Sequence, residues 1–181
     1  MKKVLITGGA GFIGSNQAHY HAETYPEDHV FVLDKLTYAG NLDNLASLLD
    51  TPNFTFIKGD IADRKFVLDL FEAEKFDVVI NFAAETHVDR SIVDSQDFVD
   101  TNIKGTHNLL DAARAHGTRY HQISTDEVYG DLGDGSTNFF MEDTPIDPNC
   151  PYAATKAAAY LLVASYFETY EMPITISRCS N

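Results

Sequence analysis

With 181 residues, 44% of them hydrophobic and 12% aromatic, the sequence has the length of one ordinary domain and a globular rather than disordered composition. Its formal net charge of −14 disfavours nucleic acid and anionic lipid as partners, because the surface field repels phosphate. Two cysteines outside any CxxC pair fit a reducing, cytoplasmic setting, and neither a signal-peptide pattern nor an apolar run of bilayer-spanning length is present, so a soluble, unprocessed chain is expected.

In chain order, short apolar runs alternate with helical patterns. The runs are Val4–Thr7, Val30–Leu33, Phe54–Ile57, Val78–Ile80, His121–Ser124 and Ile174–Ser177. Helical spacing is expected over Phe12–Thr24, Leu42–Leu49, Arg64–Ala73, 95–116 and Tyr152–Tyr170, and a loop over 130–151, which holds three glycines and three prolines. Strand runs apolar on both faces, alternating with helices, imply an α/β fold: a doubly wound parallel sheet of Rossmann type, with helices on both faces and no internal domain boundary.

The first strand runs into Gly8-Gly9-Ala10-Gly11-Phe12-Ile13-Gly14 and then a helix. Such a turn needs positions without Cβ, lets a pyrophosphate approach the backbone, and ends on free N–H groups at a positive helix terminus. Asp34 ends the second strand, 20 residues past Gly14. A carboxylate there accepts ribose hydroxyls and repels a 2′-phosphate, favouring NAD over NADP, although the cation of Lys35 stands beside it. Asp60 is placed either to reach the adenine edge or to cap the following helix.

Tyr152 and Lys156, four apart at the start of a helix, share one face. A phenol with a pKa near ~10 needs nearby positive charge to act as a base at neutral pH, which Lys156 and an oxidised nicotinamide can supply. By itself the pair reads more readily as a helix start with a surface lysine. Asp126 and Glu127 are neighbours, and neighbours on a strand point to opposite faces, so both can serve one site only where the strand has ended. There, one carboxyl could act as acid and the other as base; the competing reading is two solvated turn residues.

The glycine turn, Asp34 and the Tyr152–Lys156 pair together resemble the extended short-chain dehydrogenase/reductase family. Within it, Ser124-Thr125-Asp126-Glu127-Val128-Tyr129-Gly130, Asp34-Lys35-Leu36-Thr37-Tyr38-Ala39-Gly40-Asn41 and Ala83-Ala84-Glu85-Thr86-His87-Val88-Asp89-Arg90-Ser91 are similar to the branch of 4,6-dehydratases acting on dTDP-glucose. The resemblance implies NAD as cofactor, a nucleotide sugar as substrate and a cycle of oxidation at C4, loss of water across C5–C6 and return of hydride to C6. It implies Thr125, Asp126, Glu127, Tyr152 and Lys156 as catalytic residues. Around NAD it implies Gly8, Gly11, Phe12, Ile13, Gly14, Asp34, Lys35, Leu36, Thr37, Asp60, Ile61, Phe82, Ala83, Ala84 and Thr101, and near the substrate Thr86, Thr125 and Asn181. From packing alone, Phe12 and Ile13 read as helix-face core, Ala83 and Ala84 as close contacts and Thr101 as a helix-face hydroxyl.

The family continues past the position of Asn181 into a smaller region that holds the sugar nucleotide, so the resemblance marks this chain as a truncated product or fragment whose own turnover is in question. It also implies a homodimer through helices near 95–116 and 152–170. No histidine or cysteine spacing indicates a metal. A related UDP-sugar dehydratase or epimerase, and a non-catalytic NAD-binding module, remain as alternatives.

Overall fold

The computed structural model describes residues 1–133 and 137–180. Six strands, β1 (Lys3–Thr7), β2 (His29–Asp34), β3 (Phe54–Lys58), β4 (Val78–Asn81), β5 (Arg119–Thr125) and β6 (Ile174–Cys179), form one sheet in the order β3-β2-β1-β4-β5-β6. Every pairing is parallel, with Val4 opposite Val30 on one side and Val78 on the other. The doubly wound expectation is met.

Strand alternation feeds two cores. Leu5, Phe31, Leu33 and Val79 pack with Val67 and Phe71 of α2 (Arg64–Glu74), Leu109 and Leu110 of α5 (Thr106–His116), and Val163 of α6 (Pro151–Tyr170). Val4, Ile6, Val30 and Val32 face the other way, onto Ala18 of α1 (Phe12–Thr24) and onto Leu45. Both faces of the central strands are therefore buried, which is why their sequences read as apolar runs. Among the described residues, no helix is long and apolar enough to cross a membrane.

Two helices depart from expectation. Instead of a helix over Leu42–Leu49, there is one 3-10 turn at Leu42–Leu45. The Asn44 carbonyl, which the Leu48 N–H would reach in an α-helix, meets the His19 ring at 2.8 Å, and the Leu48 N–H donates to the Leu45 carbonyl at 2.8 Å instead. The expected 95–116 helix is in three parts, α4 (Gln96–Phe98), a wide π-helical stretch (Val99–Gly105) and α5. A further short helix, α3 (Val88–Val93), follows β4.

A buried polar chain crosses the sheet. The Asn81 carbonyl oxygen accepts the Thr7 hydroxyl at 2.6 Å, and its amide donates to Gln122 Oε1 at 3.0 Å, which also accepts the Tyr120 hydroxyl at 2.8 Å. All four side chains are buried. Replacing Asn81 with alanine strands these partners without water, and a loss of about 2–4 kcal/mol in urea unfolding is expected; a change under about 0.5 kcal/mol would show the chain to be incidental.

Candidate active site

A cavity of about 580 Å³ opens where β1 gives way to β4 as neighbours, beyond the carboxyl ends of the strands. In a parallel sheet this reversal leaves a crevice, because the connections from the two strands leave on opposite faces.

Its floor is the glycine turn. Gly8 has φ +68, and a Cβ there would lie 2.6 Å from the Ala83 nitrogen; one at Gly14 would lie 2.3 Å from the Gly8 carbonyl oxygen. These two positions let the β1 turn, the β4 loop and α1 approach one another more closely than any side chain allows. Helix α1 starts at Gly11 without a side-chain cap, so its first N–H groups remain available to an anion. Phe12 and Ile13 are exposed at the cavity's mouth rather than buried in the core.

Asp34 braces the same turn, its two carboxylate oxygens accepting the N–H groups of Ala10 at 2.9 Å and Leu36 at 2.8 Å. Lys35 is engaged by Asp60 at 2.7 Å, and that hydrogen bond holds its ammonium above the ordinary lysine range. Its charge is thus already matched beside Asp34, as an unphosphorylated ribose requires. Asp60 does not cap α2: Asp63 does, accepting the Phe66 N–H at 3.1 Å, while Asp60 accepts from Ala62 and lines the cavity.

The far wall carries the reactive groups. Helix α6 begins with Cys150 Sγ accepting the Ala153 N–H and Pro151 in its first turn, and Ser91 of α3 accepts the Tyr152 N–H at 3.1 Å. These contacts seat Tyr152, a residue only 8% exposed. Burial pushes the phenol above its usual range, and a hydrogen bond with Thr125 works against that rise. Lys156 lies one turn on, and its ammonium donates to the Ile123 carbonyl at 2.7 Å. Burial lowers its pKa to about 8, a shift the nearby Cys179 partly opposes.

Strand β5 ends at Thr125, and a 3-10 turn over Asp126–Tyr129 follows. The Thr125 hydroxyl accepts the Glu127 N–H at 3.2 Å and donates to Asp126 at 3.3 Å. The turn splits the two carboxylates between cavities: Glu127 borders both the large one and a smaller one of about 280 Å³, whereas Asp126 borders only the smaller, beside Gly130, Asp131, Phe140 and Asn149.

Of the expected site residues, Gly8, Gly11, Phe12, Ile13, Gly14, Asp34, Lys35, Thr37, Asp60, Ile61, Phe82, Ala83, Ala84, Thr86, Thr101, Thr125, Glu127, Tyr152 and Lys156 line the large cavity. Leu36 does not. Its φ of +57 reverses the chain, its side chain packs against the second core and only its N–H serves the site, by bonding Asp34. Asn181 lies outside the described residues.

Three residues not singled out by spacing also matter. Ser91 seats Tyr152. Asn102, in the π-helical stretch, bonds both backbone groups of Glu85 at 2.9 and 3.0 Å and Thr155 at 3.0 Å, tying the β4 loop to α6. Ser124 lines the cavity, and its Oγ is buried with no hydrogen-bond partner among the described residues. An orphaned hydroxyl of this kind, together with the uncapped α1 and a cradle that one Cβ would fill, fits a dinucleotide with polar groups along its length.

A pyrophosphate cradle at one end of the crevice and a phenol with a buried ammonium at the other define the extended short-chain dehydrogenase/reductase class. Comparison with known proteins then narrows it: the chain belongs to the GDP-mannose 4,6 dehydratase family, whose model matches residues 5–181. The low-salt glycan biosynthesis protein Agl12 of Haloferax volcanii is 55% identical over 98% of this chain and 56% of its own. The dTDP-glucose 4,6-dehydratase of Neisseria meningitidis is 46% identical over 100% of this chain and 53% of its own. A crystal structure of dTDP-glucose 4,6-dehydratase from Bacillus anthracis in complex with NAD superposes with a TM-score of 0.90 at 41% identity, covering 100% of this chain and 55% of that one. The chain therefore spans about half the length of these relatives.

Two outcomes are expected. Gly14→Ala forces its methyl into the Gly8 carbonyl and should abolish dinucleotide binding measured by calorimetry; unchanged affinity would relocate the cradle. Lys156→Met should raise stability at pH 7 by about 1–3 kcal/mol, each pK unit being worth about 1.4 kcal/mol. In the unfolded chain the lysine keeps its proton up to about pH 10.5 but in the folded one only to about 8, so its burial cost is complete below pH 8 and fades as pH rises towards 10.5. The gain from Lys156→Met should shrink over that window, and a gain independent of pH would count against it.

Proposed function

We propose that the protein is an NAD-dependent nucleotide-sugar 4,6-dehydratase that converts dTDP-glucose to its 4-keto-6-deoxy product, in a single NAD-binding unit spanning 1–181 that also carries the catalytic residues. The observation that supports this most is the order of side chains across the two cavities. Tyr152 borders the larger, Asp126 the smaller, and Glu127 both. A hexose chain running C4, C5, C6 past these groups meets them in the order dehydration needs. The similarity to dTDP-glucose 4,6-dehydratases supports the same substrate.

Bound NAD would supply the hydride acceptor for C4 and the donor for C6. Tyr152 removes the proton of the 4-hydroxyl, with Thr125 bonded to it and Lys156 holding the nicotinamide ribose and lending positive charge. Once C4 is a ketone, the C5 proton is acidic, and Glu127 takes it while Asp126 protonates the departing 6-hydroxyl. Glu127 then returns its proton to C5. Thr86, which lines the same cavity, bonds the sugar nucleotide in this reading.

Incubation of the protein at its full encoded length with dTDP-glucose and NAD should give a sugar nucleotide lighter by one water. Asp126→Asn and Glu127→Gln should each slow this by roughly 10²–10⁴-fold, the usual worth of a general acid or base, with NAD affinity unchanged. An isomer of unchanged mass would instead indicate epimerisation, and no reaction alongside tight NAD binding would favour a non-catalytic module.

We also propose a cytoplasmic homodimer paired through the helices near 95–116 and 152–170. Val99, Leu161, Phe167 and Tyr170 are exposed there, and both cysteines are free. Equilibrium sedimentation should give twice the chain mass, and Leu161→Arg should halve it; a monomer before mutation would overturn the pairing.

A further inference from the structure

The dehydration cycle has a proton that must be carried. Tyr152 gains one from the 4-hydroxyl, Asp126 gives one to the leaving 6-hydroxyl, and Glu127 borrows and returns one at C5. The product keeps its 4-ketone, so Tyr152 never gives its proton back to the sugar. Each turnover therefore leaves Tyr152 with one proton too many and Asp126 with one too few.

We propose that Thr125 closes this account by relaying the proton from Tyr152 to Asp126, so that the proton taken from the sugar 4-hydroxyl departs in the expelled water. This rests on the dehydratase reading above. Thr125 and Tyr152 line the same cavity, where the Thr125 side chain is near enough to the phenol to favour its ionised form, and the Thr125 hydroxyl donates to Asp126 Oδ1 at 3.3 Å. The Glu127 N–H donates to the Thr125 hydroxyl oxygen at 3.2 Å and fixes that hydroxyl. Thr125 and Tyr152 are 7% and 8% exposed, so bulk water is a poor competitor for the transfer. Asp126, by contrast, borders the second cavity, which on the dehydratase reading receives the 6-hydroxyl end of the sugar.

The step balances without an outside acid or base. As Glu127 takes the C5 proton and the C6–O bond breaks, the departing oxygen takes a proton from Asp126. In the same movement Asp126 takes the Thr125 hydroxyl proton and Thr125 takes that of the Tyr152 phenol, which becomes a phenolate again, so the Asp126 carboxylate is never left bare. Hydroxide is a far stronger base than phenolate, so a proton passed in concert with C6–O cleavage runs downhill to the leaving group, whereas refilling an Asp126 carboxylate from the phenol afterwards would run uphill. At the end Tyr152, Asp126 and Glu127 have their starting ionisation.

The test compares Thr125→Val, which keeps the shape and loses the hydroxyl, with Thr125→Ser, which restores it. Quenched single turnovers of the full-length protein are read by mass for two species: sugar oxidised at C4 but still carrying its 6-hydroxyl, and sugar that has lost water. Thr125→Val should let the first species accumulate and slow its dehydration by about 100-fold or more relative to its formation, a general-acid effect. Thr125→Ser should bring the dehydration back to within about 10-fold, and the dehydration step should show a larger solvent deuterium effect with serine or threonine than with valine. If Thr125→Val slows only the oxidation, with no build-up of the keto sugar, the relay is wrong while the dehydratase reading stands. If the unmodified protein never removes water from dTDP-glucose, both fall.

Discussion

The bond between Asn81 and Thr7 sets the geometry on which the site depends. Parallel strands can slip in register at little cost in backbone bonding, but a buried amide that has lost its partner costs about 1–3 kcal/mol. Asn81 ends β4 and reaches Thr7 at the end of β1 and Gln122 in β5. Those bonds hold three strands in one register, and the residues that follow them inherit it. Gly8 after β1, Ala83 after β4 and Ser124–Thr125 at the end of β5 therefore arrive at the same crevice. A one-residue slip would turn Thr125 away from Tyr152 and separate the cradle from the catalytic wall.

Burial of Lys156 works in the opposite direction. An ammonium held by one carbonyl in a buried helix face weakens the fold, and the protein is more stable the less that proton is bound. The same burial keeps the charge unscreened where a phenolate has to form on Tyr152. Stability is given up at the point where the proposed chemistry needs a strong local field, as is common for groups with displaced pKa values. The capping of Tyr152 by Ser91 and the tie from Asn102 to Thr155 hold that strained arrangement in place without adding charge to it.

Most of the framework was legible in the sequence because it follows from repetition. Apolar runs buried on both faces announce a parallel sheet, and the glycine spacing at 8, 11 and 14 announces a close backbone approach. What was not legible depended on tertiary bonds that leave no periodic trace. The stretch after Asn41 has helical spacing but becomes a 3-10 turn, where His19 takes the Asn44 carbonyl and the Leu48 N–H goes to Leu45. Leu36 sits among ligand-facing neighbours, yet a left-handed residue turns its side chain inward. The wide turn at Val99–Gly105 interrupts a good amphipathic pattern and aims Thr101 at the crevice and Asn102 at Glu85.

The adjacent pair Asp126-Glu127 shows how a local break in structure becomes chemical meaning. Had β5 continued, one carboxylate would face each side of the sheet and neither would share a substrate. Had an α-helix begun at once, the two would diverge by about 100° into solvent. The 3-10 turn pinned by Thr125 does something else, leaving Glu127 on the boundary between two cavities and Asp126 inside the second. A glycine cradle, Tyr152 and Lys156 are enough to oxidise and reduce a carbinol. In the proposed reaction, the step from there to removing water from the next two carbons takes a base and an acid spaced along the sugar, a spacing that follows from where one strand stops.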